Sequence, residues 1–208
     1  MGTAIGSKNM NANKPCEKCL VIASSNIGKI NEFRELLSCV PLKLLSMPEG
    51  LDVEETGQTF AENARLKAIK VAEITGEWAL ADDSGLSVNS LAGSPGVHSA
   101  RYEKSDDARI HRLLSEMEPF DDRSAYFSSA ICIAAPNNEI LLEVEGKCHG
   151  IIAKEGRGEK GFGYDPVFEV LNTGLTFAEM GAKQKQVLSH RGLAFALLKP
   201  KLRKLLNE

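Results

Sequence analysis

Two adjacent carboxylates, Asp82 and Asp83, follow directly on the apolar run of WALADDSGLSVN, which begins at residue 78. A second acidic pair, Glu54 and Glu55, stands in a stretch with no apolar period. Hard oxygen donors of this kind suit Mg2+, which keeps several waters and is usually shared between a few carboxylates and substrate phosphates. Cationic counterparts are at hand in Lys29 of SSNIGK (residues 24–29) and Lys67 of ENARLKA. A glycine and a lysine where a strand passes into a helix leave backbone N–H groups and the positive end of the helix dipole free for an anion. SSNIGK is not a P-loop, which needs Gly where Ala23 stands and Ser or Thr where Ile30 stands. Each fragment also has a plainer reading. Asp-Asp-Ser-Gly makes a type I turn, the Glu pair a solvated loop, and Gly-Lys an ordinary turn with a solvated lysine. Together they look more like a metal–phosphate centre than any one does alone.

GFGYDP (residues 161–166) interleaves Phe162, Tyr164 and Asp165 with Gly161 and Gly163. Such a segment can hold a planar ring while a carboxylate accepts from its edge, or its aromatics can simply anchor the loop to the core. SHR (residues 189–191) presents His190 and Arg191 at a helix start, as ligand donors or as ordinary capping with a surface arginine. The four histidines are scattered without a ligand-like spacing, which speaks against zinc. No Gly-x-Ser-x-Gly segment or nearby Cys–His pairing suggests a covalent nucleophile.

Positioning these groups requires an ordered scaffold. CLVIA, Cys19 to Ala23, reads as a buried strand, and Ile30, Phe33, Leu36 and Leu37 then recur as one helix face, so SSNIGK is the loop of a strand–loop–helix unit. Thr59 with Glu62 forms a capping-box pattern, opening a helix whose stripe is Phe60, Ala64, Ala68, Val71 and Ala72. Asn63 and Lys67 share a neighbouring face, four residues apart. WALA is the next strand, with DDSG expected at its carboxyl end, where open α/β sheets bind ligands. Ser105 caps a helix carrying Ile110, Leu113, Leu114 and Met117. SAYFSSAICIAA and EILLEVEGKCHGII flank the turn-like PNNE and predict an antiparallel hairpin. EGRGEKGFGYDP is too rich in glycine for a regular element. Thr176 with Glu179 predicts a short helical piece, and a last helix follows Ser189 with a bend near Pro200. The mixture is α/β with an antiparallel portion.

The 208 residues, 43% of them hydrophobic, suffice for a proper core in one domain or two small lobes. A formal net charge of −3, with both signs interspersed, provides no broad basic field for a nucleic-acid polymer. No apolar run approaches membrane-spanning length, and the opening residues lack a secretory pattern, so a cytoplasmic chain away from membranes is expected. Five cysteines, an odd number without an exported context, imply reduced thiols. Residues 1–18, polar and without period, read as a flexible extension, and the single CxxC of Cys16 and Cys19, which spans its junction with the first strand, reads as a surface accident.

SSNIGK, EETGQTFAENARLKA, ADDSGLSVNSLAGSPGVHSARY, GFGYDPVF, TFAEM and SHRG, in this order, closely resemble the inosine triphosphate pyrophosphatase family. The resemblance runs from about Cys19 to the end, making residues 19–208 a nucleotide pyrophosphatase domain. It implies an elongated two-lobed α/β fold, a mixed sheet flanked by helices, in a homodimer with the nucleotide between the lobes. The implied reaction cleaves ITP, dITP and XTP to monophosphate and pyrophosphate with Mg2+. By position, Ser24, Ser25, Asn26, Ile27, Gly28 and Lys29 resemble the triphosphate loop, and Lys67 a second phosphate contact. Asp83 resembles the catalytic and metal-side carboxylate, Ser84 a substrate contact, and Glu54, with or without Glu55, the other metal ligand. Phe162, Gly163, Tyr164, Asp165, Lys185, His190 and Arg191 resemble the base-recognition set. Ser24 and Ser25 depart from the Thr and Gly common in that loop, yet keep a hydroxyl and the backbone donors. Two rivals are a Maf-like nucleotide pyrophosphatase, disfavoured by SHR and GFGYDP, and a non-hydrolysing nucleotide sensor, disfavoured by Asp83 with Lys67.

Overall fold

The computed structural model describes residues 18–207. Of the expected extension only Lys18 falls within that range, and Cys16 lies outside it. Six strands form one mixed sheet: β1 (Cys19–Ile22), β2 (Lys43–Ser46), β3 (Trp78–Val88), β4 (Ser124–Ala134), β5 (Ile140–Ile152) and β6 (Phe168–Val170), in the order β2-β1-β3-β4-β5-β6. β1 runs parallel to β2 and β3, whereas from β3 through β4 and β5 to β6 each strand is antiparallel to its neighbour. Among the described residues five α-helices accompany them: α1 (Ile27–Leu37), α2 (Phe60–Thr75), α3 (Asp106–Met117), α4 (Ala182–Leu188) and α5 (His190–Leu205).

The expected helices form for the expected reasons. Thr59 and Glu62 close a reciprocal capping box on α2, Ser105 accepts from the Ala108 N–H at α3, and Ser189 accepts from the Gly192 N–H at α5. Their apolar stripes then divide the core. α1 and α5 cover one sheet face at Leu20, Ile22, Leu80, Ile131 and Ile133, and α2 covers the other at Val21, Ala79, Ala81 and Cys132. A third cluster, with Leu86, Val88, Phe127, Phe168 and Phe177, packs under α3 at the far end of the long strands. At roughly 3.3 Å per residue, the 11-residue β3 and β4 and the 13-residue β5 are long enough to run through both regions.

Two expectations are corrected. The strand after Gly76 does not stop at Ala81: Asp82 to Gly85 stay in β3, paired with Ile131, Ala130, Ser129 and Ser128 of β4. Cross-strand pairing overrides the turn propensity of Asp, Ser and Gly there. Thr176 and Glu179 do not open a helix. The Glu179 carboxylate accepts from the Thr176 N–H at 2.8 Å, but it closes a single turn, and α4 begins only at Ala182. The edge strand β2 and helix α4 carry no periodic signal long enough to announce them.

Gly146 sets how closely α5 approaches the sheet. A Cβ there would overlap the His190 carbonyl oxygen and the Ala194 amide nitrogen, and would lie 2.7 Å from the Ala194 Cα, all rigid backbone. Gly146→Ala is therefore expected to push α5 outward and destabilise the protein by about 1–3 kcal/mol, the usual cost of overpacking. A urea midpoint unchanged from wild type would show that the helix gives way freely.

Candidate active site

Because side chains alternate across a strand, Asp82 and Asp83 leave β3 on opposite faces. Asp82 continues the row of Leu80 and ends beneath α1 and α5, while Asp83 continues the row of Ala79 and Ala81 and faces α2. The consequences differ sharply. Asp82 is 2% exposed and acts as a buried hub: Lys29 lies 2.8 Å away, the Arg191 guanidinium 3.4 Å, the Ser84 hydroxyl 3.0 Å, and the Ser129 hydroxyl donates to its other oxygen. Burial alone would raise its pKa, but Lys29 and Arg191 outweigh that and hold it far below the carboxylate range.

Asp83 is 5% exposed and borders a cavity of about 360 Å3. Its Oδ2 accepts from the Asn63 amide at 3.0 Å and its Oδ1 from the Ser84 N–H. Burial pushes its pKa up, Glu55 pushes the same way, and Lys29, Asn63 and Lys67 oppose without prevailing. A carboxylate so placed holds a proton more readily than usual, as a general base should.

The cavity wall gathers most of the residues singled out from the sequence. Ser24, Ser25, Asn26 and Lys29 come from the loop into α1, Lys67 from α2, Asp83 and Ser84 from β3, Phe162, Gly163, Tyr164 and Asp165 from the glycine-rich loop, and Lys185, His190 and Arg191 from α4 and α5. Three stay out of it. Ile27 is 72% exposed, and Gly28 lies under the Phe162 ring, where a Cβ would come within 2.7 Å of the ring. Glu54 points to solvent, because exposure alternates along this extended segment and the register sends Glu55 inward instead. Glu55 pairs with Lys67 at 2.5 Å. The helix-start amide of Lys29, offered by the sequence to an anion, is capped by the Asn26 side chain at 3.1 Å.

The aromatic loop is held from both sides. Asp106 at the start of α3 accepts from the Gly163 N–H at 2.7 Å, the Tyr164 hydroxyl donates to the Ser99 carbonyl at 3.0 Å, and Asp165 accepts from the Phe162 N–H and from Lys185 at 2.7 Å. Burial raises the Asp165 pKa against the pull of Lys185. Behind Lys185 and Arg191 opens a second cavity of about 220 Å3, floored by Phe177 and Met180, with Glu32 in its wall. Glu32 binds both Arg191 and Lys185, the latter at 3.1 Å. The sequence reading missed this glutamate. Its one signal was the three-residue spacing from Lys29, which puts both on the same side of α1. His190 stacks on Phe127 with 4.7 Å between ring centroids, and burial depresses its pKa well below the usual value, so the imidazole is neutral. Its Nδ1 and the Arg191 Nε are buried without a hydrogen-bond partner among the described residues.

The wall also has the chemistry for a divalent cation. No cluster of three or more His, Cys, Asp or Glu poised for a metal occurs among the described residues. Asp83 and Glu55 nevertheless repel one another across the cavity, and an ion that takes its remaining ligands from water and phosphate needs no more than such a pair. Cysteine chemistry has no place here: burial pushes the Cys132 thiol up to about 12 and Cys148 up to about 11.

Comparison with known proteins places the chain in a family. A dITP/XTP pyrophosphatase of Prochlorococcus marinus (strain MIT 9313) is 63% identical over 199 residues, covering 96% of this chain and 98% of that one. Another, from Synechococcus sp. (strain CC9311), is 61% identical over 190 residues, covering 91% and 92%. Among solved structures, a HAM1 protein from Coxiella burnetii superposes with a TM-score of 0.83 at 41% identity, over 90% of this chain and 99% of that one. A structure titled nucleoside-triphosphatase / dITP/XTP pyrophosphatase, from Mycobacterium abscessus, gives 0.70 at 38% identity over 89% and 100%. The family model described as the Ham1 family matches residues 20–201, and the chain belongs to that family.

Proposed function

We propose that this enzyme hydrolyses non-standard purine nucleoside triphosphates, ITP, dITP and XTP, to the monophosphate and pyrophosphate. The observation that carries this is Asp83, a buried carboxylate with a raised pKa, facing Lys29 and Lys67 in a cavity whose far wall is built of aromatics and paired cations. Ser24, Ser25, Asn26, Lys29 and Lys67 hold the triphosphate. Asp83 takes a proton from a water as its oxygen bonds to the α-phosphorus, and the bridging oxygen leaves with the pyrophosphate. Asp83 and Glu55 would hold a divalent cation, which when bound would supply charge neutralisation. Five cations (Lys29, Lys67, Arg101, Lys185, Arg191) face five carboxylates (Asp82, Asp83, Glu55, Glu32, Asp165) around the cavity, so the protein alone leaves the charge of a triphosphate unbalanced. Mg2+ as that ion, a homodimeric state and a cytoplasmic address belong to the same reading on the strength of the family resemblance. No described helix is long and apolar enough to cross a membrane.

The base occupies the Phe162 side and reaches toward the second cavity. Lys185 and most of the Arg191 guanidinium are already committed to Asp165, Glu32, Ser84 and Asp82. Both nevertheless line the cavity, and their N–H groups would be re-aimed or shared to meet the C6 carbonyl of hypoxanthine or xanthine. Asp165 can accept from the N1–H that these bases carry and adenine lacks. ATP would set an amino group against donors and leave the carboxylate without its proton partner, a mismatch worth about 10²-fold or more. Pyrophosphate release in Mg2+ from ITP, dITP, XTP and ATP tests this. ITP, dITP and XTP should exceed ATP by that margin, and a preference for ATP would end the proposal.

A further inference from the structure

We infer that Arg101 is a further substrate-contacting residue, gripping the terminal phosphates before cleavage and the pyrophosphate after it. This deepens the proposed function and rests on it. Arg101 closes the short 3-10 segment Gly96–Arg101 and borders the main cavity but not the second one. Its backbone support is firm. Ser99 Oγ accepts from the Leu86 N–H of β3 at 2.9 Å, the Ser99 carbonyl holds Tyr164, and the Ala100 carbonyl accepts from Arg109.

The side chain, in contrast, is the least committed cation of the site. Lys29, Lys185 and Arg109 each hold a carboxylate within 2.8 Å, and Arg191 is enclosed by Glu32, Ser84 and Asp82. Among the described residues Arg101 reaches only Glu55, at 3.6 Å, and its side chain is 56% exposed, against 14% for Lys67. It can therefore turn to a new anion with little desolvation and without stranding a buried partner. Glu55 ties it to Lys67, which places it at the phosphate end. A guanidinium fork suits two phosphate oxygens at once, a geometry the lysines cannot offer.

The test uses the full chain with Arg101→Ala and Arg101→Lys. Inhibition by inorganic pyrophosphate and by IMP is measured alongside the KM for ITP, and pyrophosphate binding is followed by calorimetry. Losing a charged hydrogen-bond donor should weaken pyrophosphate and raise the ITP KM about tenfold in the Ala variant. IMP inhibition should stay within about twofold, and the Lys variant should recover part of the loss. An Ala variant that binds pyrophosphate as wild type does, or that loses IMP equally, overturns the inference. Wild-type protein that fails to turn over ITP would count against the proposed function instead, while calorimetry still reads the arginine.

Discussion

Asp83→Asn is expected to lower kcat by about 10²–10⁴-fold, the range set by loss of a positioned general base. The same variant should unfold within about 1 kcal/mol of wild type, because relief of a buried charge offsets one weakened hydrogen bond. The sign follows from linkage. Burial and Glu55 hold the folded pKa of Asp83 above its unfolded value, so the folded protein binds this proton more tightly. The contribution of Asp83 to stability is then largest below the unfolded pKa and declines as pH rises through the folded one. Catalysis has the opposite preference, since a base must be ionised. kcat/KM should fall on acidification with an apparent pKa above the ordinary aspartate value of about 3.9. Steady-state rates with urea unfolding across pH would check both. Turnover by Asp83→Asn close to wild type would remove Asp83 from the chemistry.

Its neighbour should behave in the reverse manner. Asp82→Ala is expected to cost about 3–5 kcal/mol, because it strands Lys29 and the 2%-exposed Arg191 guanidinium without their shared carboxylate. Asp82 has a depressed folded pKa, so its contribution is fully present above the unfolded value and lost only as pH falls toward the folded one. The wild type should therefore unfold in acid partly through this group, and the variant should show a flatter stability profile below about pH 4. Activity would fall as well, since Lys29 and Arg191 lose their anchor. Equal unfolding midpoints for wild type and Asp82→Ala would mean that the hub contributes nothing.

These two adjacent residues also show where the sequence was legible and where it was not. The helices carrying Lys29, Lys67 and His190 were readable because capping residues and apolar stripes are local properties, and Asn63 could be placed beside Lys67 by spacing alone. The aspartates were read as the end of a strand because Asp, Ser and Gly favour turns. Only pairing with β4, some 47 residues away, shows that the strand continues and divides them between two faces. Glu54 and Glu55 lie in an irregular segment whose register no period can set. Glu32 became visible only when the fold brought Lys185 and Arg191, more than 150 residues distant, against α1. The capping pattern of Thr176 and Glu179 was present and satisfied, yet a cap does not make a helix when the next turn is committed elsewhere.

Hydrolysis of ITP in water enriched in heavy oxygen tests most directly whether Asp83 delivers water to the α-phosphorus. Label should appear in IMP, with unlabelled pyrophosphate as the co-product. Label in the pyrophosphate, or orthophosphate as the first product, would place the attack at another phosphorus and contradict a site in which Asp83 serves the α-phosphate while Lys29 and Lys67 hold the phosphate chain.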